Sequence, residues 1–217
     1  MLLIKLIKGL ITSSKGAIHG MPEANLTDDP LALFEQWFNQ AKQAGLFLPE
    51  AMSIATATKT GTLSNRMVLL KSFDQAGFVF YTNYHSQKAQ EIADNPQVAL
   101  LFHWDTLQRQ IRINGQIEKV SSAESEAYFQ SRSRGSQLGA WASKQSETVN
   151  NRQEMDQVYN KITQRFKDKP VPTPDFWGGY RIIPQQIEFW QGRLNRFHDR
   201  IVFEKENEEW VAKRLYP

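Results

Sequence analysis

The sequence predicts an α+β fold: a mostly antiparallel β-barrel with flanking helices. Seven or eight short runs rich in β-branched and aromatic residues are separated by Gly, Asn and Asp turn signals. Helical patterning is confined to an early segment, one short turn and a late insertion, unlike the regular strand–helix alternation of a parallel doubly wound sheet. No GxGxxG, GxxxxGK-S/T or GxSxG element occurs, which excludes a Rossmann domain, a P-loop and a hydrolase elbow.

The elements follow in order. Residues 1–27 form an N-terminal arm, amphipathic or disordered, in which Lys5 and Lys8 interrupt a short apolar run. That run is far below the roughly 20 apolar residues of a membrane span, and no clean signal-cleavage site follows it. Residues 28–217 then read as a single domain. Asp29 as a cap and Pro30 in the first turn open a helix over 28–46, with Leu31, Phe34, Trp37, Phe38 and Ala41 on one face and Gly45 at its end. Residues 51–61, 64–73 and 77–83 read as an antiparallel meander. A short helix over 86–96 stops at Asn95–Pro96, and strands follow at 97–104 and 109–120. Ser-x-x-Glu at 121–124 is a capping box opening a helical region that extends to 168. A proline-rich loop and three strands, "YRIIPQQIEFWQ", "HDRIVFEKE" and "EWVAKRLYP", close the chain.

Composition narrows the function. The 217 residues contain no cysteine, which rules out disulfides, iron–sulfur clusters and thiolate zinc sites. The four histidines, His19, His85, His103 and His198, lack ligand spacing, so no metal is expected. A net charge of +3, with basic residues clustered in two short segments and no reading motif, argues against a nucleic-acid partner. A soluble, cytoplasmic protein without a membrane partner is the expectation.

Four segments carry candidate chemistry. In "RMVLLK", Arg66, Val68 and Leu70 alternate with Met67, Leu69 and Lys71, so each face of a strand ends in a cation. That suits an edge against a phosphate or flat ring, although a strand with snorkelling ends has the same pattern. Tyr81, Thr82 and Ser86 place hydroxyls ahead of Lys88 at a helix start, where free amides favour anions. A capped helix with a surface lysine reads the same way. Tyr128, Arg132 and Ser136 share a face if the helix is continuous; Gly135 is the expected break, which leaves them near one another around a turn. Together they offer one bidentate cation and two hydroxyl donors to a phosphate; a solvated helix face is the alternative. Finally, Trp190 supplies a plane, and Arg196, His198 and Arg200 lie at period two on one face of a predicted strand. Such a cluster is costly to bury unpaired, and so points to a flat, anionic ligand. Asp199 points the other way and would hold the turn.

The motifs "RMVLLK", "FYTN", "SQK", "QSRSRGSQLGAWASKQS", "FWGGYR", "IEFWQG" and "RFHDR", in that order, resemble the pyridoxine/pyridoxamine 5′-phosphate oxidase family from about residue 29 to Pro217. The resemblance implies a split β-barrel homodimer with FMN at the subunit interface. By position, Arg66, Met67, Val68, Leu69, Leu70, Lys71, Tyr81, Thr82, Lys88, Gln110, Gln145, Ser146, Trp190 and Arg200 would hold FMN, some from the partner subunit. Lys71, Tyr128, Arg132 and Ser136 would bind the substrate phosphate, and Arg196 and His198 would be the catalytic pair over the pyridine ring.

The implied reaction oxidises C4′ of pyridoxine phosphate to the aldehyde, or of pyridoxamine phosphate to an imine that water hydrolyses with loss of ammonia. Oxygen is the final acceptor and becomes hydrogen peroxide. The sequence departs from the family's pattern at three places. The arm has no arginine or tyrosine where an Arg-x-x-Tyr-like pair usually covers the substrate, Leu48 stands where aspartate is frequent, and Gln87 replaces the arginine of "SRK". Two other functions suit the same residues. One is a flavin- or pyridoxal-phosphate-binding protein with little turnover, the other a split-barrel flavin reductase in which the Tyr128/Arg132/Ser136 pocket is incidental.

Overall fold

The structure is a computed structural model describing residues 2–23 and 29–217. Six helices are described: α1 (Leu2–His19), α2 (Pro30–Gln43), α3 (Gln87–Asp94), α4 (Ser122–Ser131), α5 (Arg134–Ala142) and α6 (Arg152–Arg165). Nine strands form one sheet: β1 (Ala51–Ala57), β2 (Leu63–Leu69), β3 (Ser72–Asp74), β4 (Gly77–Asn83), β5 (Gln97–Trp104), β6 (Arg109–Lys119), β7 (Trp177–Gln191), β8 (Asp199–Glu206) and β9 (Glu209–Leu215). Every pairing is antiparallel.

The sheet runs β2-β1-β5-β6-β7-β4-β3, and its two ends are consecutive in the chain. The run expected as one strand over 64–73 therefore breaks at Leu70–Lys71. Leu70 N–H still bonds Glu50 O on the β1 side, whereas Lys71 N–H bonds Val79 O on β4. Two residues thus carry the backbone across the seam between the sheet's ends, and Lys71 sits on it.

β7 makes the second division. Its first half pairs with β4 (Phe78↔Ile182 to Asn83↔Trp177) and its second half with β8 (Gln186↔Glu204 to Gln191↔Asp199). The change falls at Pro184, which has no N–H to give, opposite a register shift at Asn114/Gly115. β8 and β9 fork away there, which makes the barrel a split one.

α2 plugs the barrel. Asp29 accepts from Leu31 N–H as its cap, Pro30 occupies the first turn, and Phe34 is fully buried edge-on to Phe73, Phe78 and Phe102. The arm, left open between amphipathic and disordered by the sequence, is helical over Leu2–His19. It packs against α2 and the turn at 105–107. Its contact face includes Gly9, against Ala44 and Thr106, and Gly16, against the Gln191 side chain. A Cβ at Gly16 would overlap Gln191, so the close approach needs glycine there. Among the described residues no helix is long and apolar enough to cross a membrane, and no group of three or more side chains could hold a metal.

Candidate active site

Two adjoining cavities, of about 350 and 620 Å³, form one groove beside the β2–β3 seam. They share Leu69, Lys71, Tyr81, Thr82 and Gln145. The smaller adds Arg66, Met67, Val68 and Lys88; the larger adds Tyr128, Arg132, Ser136 and Trp177.

The smaller end is a cation cluster with one counter-charge. Lys88, 8% exposed, donates to Thr82 Oγ1 (3.1 Å), Ser86 Oγ (3.2 Å) and Gln145 Oε1 (2.8 Å). Burial, reinforced by the charge of Arg66, pushes its pKa down to about 8. Arg66 turns toward Glu91 (3.1 Å) and also bonds Thr56 and the Ser64 hydroxyl. Burial alone would raise the Glu91 carboxyl, but hydrogen bonds from Ser64, Thr56, Gln87 and Arg66 outweigh it and hold the pKa at about 2. Gln87 donates to Glu91 Oε1 (2.8 Å), so the side chain where arginine is frequent here supports the carboxylate. Ser146 Oγ accepts from Gln87 N–H (3.2 Å) and caps α3, which its own N-cap, Ser86, does not do.

The larger end has an aromatic wall. Tyr81 stacks on Tyr128 (3.9 Å, 16°) and on Trp177 (5.4 Å, 12°). Burial, then the charge of Glu124, raises the Tyr81 pKa to about 12, so its hydroxyl keeps its proton at neutral pH. Arg132 lies over Trp177 at 4.7 Å, and its buried Nη1 has no hydrogen-bond partner. Burial also lowers the Arg132 pKa. A buried, unpaired guanidinium nitrogen beside an open groove is the chemistry of an anion site awaiting its oxygen atoms.

Tyr128, Arg132 and Ser136 do line one cavity, around a turn as expected, but the break falls earlier than Gly135. The helix breaks at Arg132, whose ψ of 151° is extended, and Gly135 lies inside α5. The bend between α4 and α5 brings the three together. Ser136 is exposed, and its hydroxyl accepts from Ser133 (2.9 Å).

The remaining predicted residues lie elsewhere. Gln110, Trp190 and Arg200 form one rung across β6, β7 and β8, and none of them lines either cavity. Arg200 is tied to Glu188 through Nε (2.9 Å) and Nη2 (3.0 Å) and to Tyr216 O through Nη1 (3.1 Å). The expectation that Arg196, His198 and Arg200 share one strand face fails. β8 begins only at Asp199, and Arg196 sits in a 3-10 turn at φ 60°, next to Asn195 at φ 58°. The left-handed backbone there breaks the two-residue period before the strand starts. His198 still reaches Trp190 (ring centroids 4.6 Å apart), and its Nδ1 accepts from Arg193 N–H (3.1 Å).

Sequence reasoning did not single out Glu91, Glu188 or Trp177. Trp177 was within reach, inside "FWGGYR"; the carboxylates carry no local signature.

Residues 38–166 match the pyridoxamine 5′-phosphate oxidase family, and residues 177–217 match the pyridoxine 5′-phosphate oxidase C-terminal dimerisation region. A pyridoxine/pyridoxamine 5′-phosphate oxidase of Colwellia psychrerythraea is 50% identical over 217 residues, 100% of each chain. The chain belongs to the pyridoxine/pyridoxamine 5′-phosphate oxidase family. The Rubrobacter xylanophilus member is 52% identical over 198 residues, 91% of each chain. Among solved structures, PhzG from Burkholderia lata, in complex with tetrahydrophenazine-1-carboxylic acid, superposes with a TM-score of 0.86 at 28% identity, covering 91% of this chain and 97% of that one. Like other family members, the protein is an oxidoreductase, and its dimerisation region supports a homodimer.

Proposed function

We propose that the protein is an FMN-dependent oxidase converting pyridoxine 5′-phosphate or pyridoxamine 5′-phosphate to pyridoxal 5′-phosphate, with O2 reduced to H2O2. The observation that carries this reading is the pair of anion-seeking ends in one groove, the buried Lys88 and the unpartnered Arg132 Nη1, with an aromatic wall at the Arg132 end. A flavin phosphate and a substrate phosphate would each satisfy one end, and the residues present fit both.

In this reading Arg66, Lys88, Thr82, Gln145 and Ser146 hold the FMN phosphate, and the 67–71 backbone, Val68 to Lys71 above all, follows the flavin. Glu91 keeps Arg66 in place. Lys71, Tyr128, Arg132 and Ser136 take the substrate phosphate, with Tyr81 backing Tyr128. Gln110, Trp190 and Arg200, together with the catalytic pair Arg196 and His198, do not line this groove in their own subunit and complete it from the second one. The match to a dimerisation region over 177–217 supports that assignment.

FMN when bound supplies the two-electron acceptor and passes the electrons to O2. The protein's part is binding, orientation and proton placement. Oxidising the alcohol at C4′ removes two electrons and two protons and leaves the aldehyde; the amine gives an imine, which water converts to the aldehyde and ammonia. Because a backbone N–H can only donate, His198 Nδ1 must accept from Arg193. The neutral ring then carries its proton on Nε2, ready to donate to a substrate oxygen or nitrogen. Arg196, exposed and unpaired among the described residues, keeps its guanidinium available for the pyridine ring. No side chain stands out as a strong base, which suits catalysis by positioning.

The test is a visible spectrum of the purified protein followed by anaerobic addition of pyridoxine 5′-phosphate. Bleaching of the flavin band is expected. A yellow protein that stays yellow would favour a binding protein without turnover, and a colourless one that cannot be reconstituted with FMN would overturn the reading.

A further inference from the structure

The turn at 193–198 carries both Arg196 and His198. Within the subunit its Leu194 and Phe197 are 68% and 65% exposed, so its own chain holds it mainly through polar contacts and the packing of His198 on Trp190. Asn195 and Arg196 both occupy left-handed backbone, which persists only where surroundings enforce it. The enforcement comes from a polar junction behind the turn, centred on Asp199, 15% exposed. Its Oδ2 accepts from Met21 N–H (2.9 Å) and lies 3.5 Å from Arg193 Nη1; its Oδ1 pairs with Arg214 Nη1 (3.2 Å). The same two arginines hold the end of the N-terminal arm. Arg193 Nη2 donates to Ile18 O (3.1 Å), and Arg214 Nη2 to Met21 O (3.1 Å). Gly20, at φ 68°, lets the chain pass so close that an added Cβ would collide with the Asp199 carboxylate. Arg193 then closes the circuit, since its own backbone N–H fixes His198 Nδ1.

We infer that Asp199 is a positioning residue, a latch through which the Ile18–Met21 segment fixes the 193–198 turn and so sets Arg196 and the His198 tautomer. The arm lacks the arginine and tyrosine that would reach a substrate directly; it acts instead from behind, on the residues that do. The inference rests on the reading of Arg196 and His198 as substrate-contacting.

The experiment uses the full-length FMN-loaded protein with Asp199→Asn and, separately, Gly20→Ala, which leaves Asp199 intact but crowds it. Two readouts are needed. Amide hydrogen exchange over residues 16–23 should quicken in both variants, because Met21 N–H loses its charged acceptor in one and has it displaced in the other. With pyridoxine 5′-phosphate, kcat/KM should fall about tenfold, the scale of a lost charge-assisted hydrogen bond, while FMN content stays at wild-type level. In an Arg196→Ala/His198→Ala background Asp199→Asn should add almost no further loss, since it acts through those two side chains; a merely structural role would give additive losses. Unchanged exchange, or full additivity, overturns the latch. Quickened exchange in the variants, with a wild-type protein that never oxidises the substrate, would leave the latch standing and sink the functional reading instead.

Discussion

Replacing Arg132 with alanine separates a binding role from a structural one, because the two predict opposite balances of stability and affinity. Without substrate, Arg132 is held by its stacking on Trp177 (4.7 Å) and Phe129 (5.6 Å), while its Nη1 is buried unbonded. Losing a cation–π contact costs about 0.5–2 kcal/mol, and removing a buried unsatisfied polar group returns about 1–3 kcal/mol. The two nearly cancel, so the melting temperature should move by no more than about 4 °C for a chain of this size. Substrate binding has no such compensation. One charged hydrogen bond to phosphate contributes about 1.5–3 kcal/mol, so KM for pyridoxine 5′-phosphate should rise roughly 10- to 150-fold. FMN content should not change, since Arg132 lines only the larger cavity. The assays are steady-state kinetics, a thermal melt and flavin absorbance on one preparation. An unchanged KM would remove Arg132 from the site; a melt lowered by more than 10 °C, or lost FMN, would show the residue to be structural.

Three further outcomes follow from the charges around the groove. Lys88 is depressed to about 8 in the fold, and a bound anion favours its protonated form, so FMN binding should take up protons near pH 8 and weaken as pH rises above it; titration calorimetry in two buffers measures this, and Lys88→Met should flatten the profile. Glu91, held at about 2 against an ordinary 4.5, contributes stability that is full above about pH 4.5 and lost as pH falls through 2. Glu91→Gln should lower the melting temperature at pH 7 by more than it does at pH 2, where the wild-type carboxyl has lost its advantage. Arg200→Met leaves the buried Glu188 with only Arg112 (3.2 Å), so it should destabilise even the FMN-free protein, by about 1–3 kcal/mol in urea unfolding. An unaltered urea midpoint would mean that Arg200 serves the cofactor alone.

Much of the architecture is local and could be read from the sequence. The Asp29–Pro30 helix start, the Ser121–Glu124 cap and the alternation of Ile111, Ile113 and Ile117 each depend on a few neighbouring residues whose spacing encodes the element. Candidates for the site could be picked out as well, because runs such as "RMVLLK" and "RFHDR" gather cations in short segments whose partners no local pattern supplies.

What only the tertiary structure decided is which distant group each of those residues meets. The break at Leu70–Lys71 and the fork in β7 depend on which strand lies alongside, and strand pairing is a long-range choice. The carboxylates are the clearest case. Arg66 finds Glu91 from 25 residues away and Arg112 finds Glu188 from 76, and nothing in either local pattern announces the match. Asp199 adds one more: it meets Met21 across 178 residues, and with the Arg193–Ile18 bond it joins the arm to the turn bearing Arg196 and His198. Periodicity is a property of a few successive residues, whereas the partner of a buried charge is fixed by the path of the whole chain.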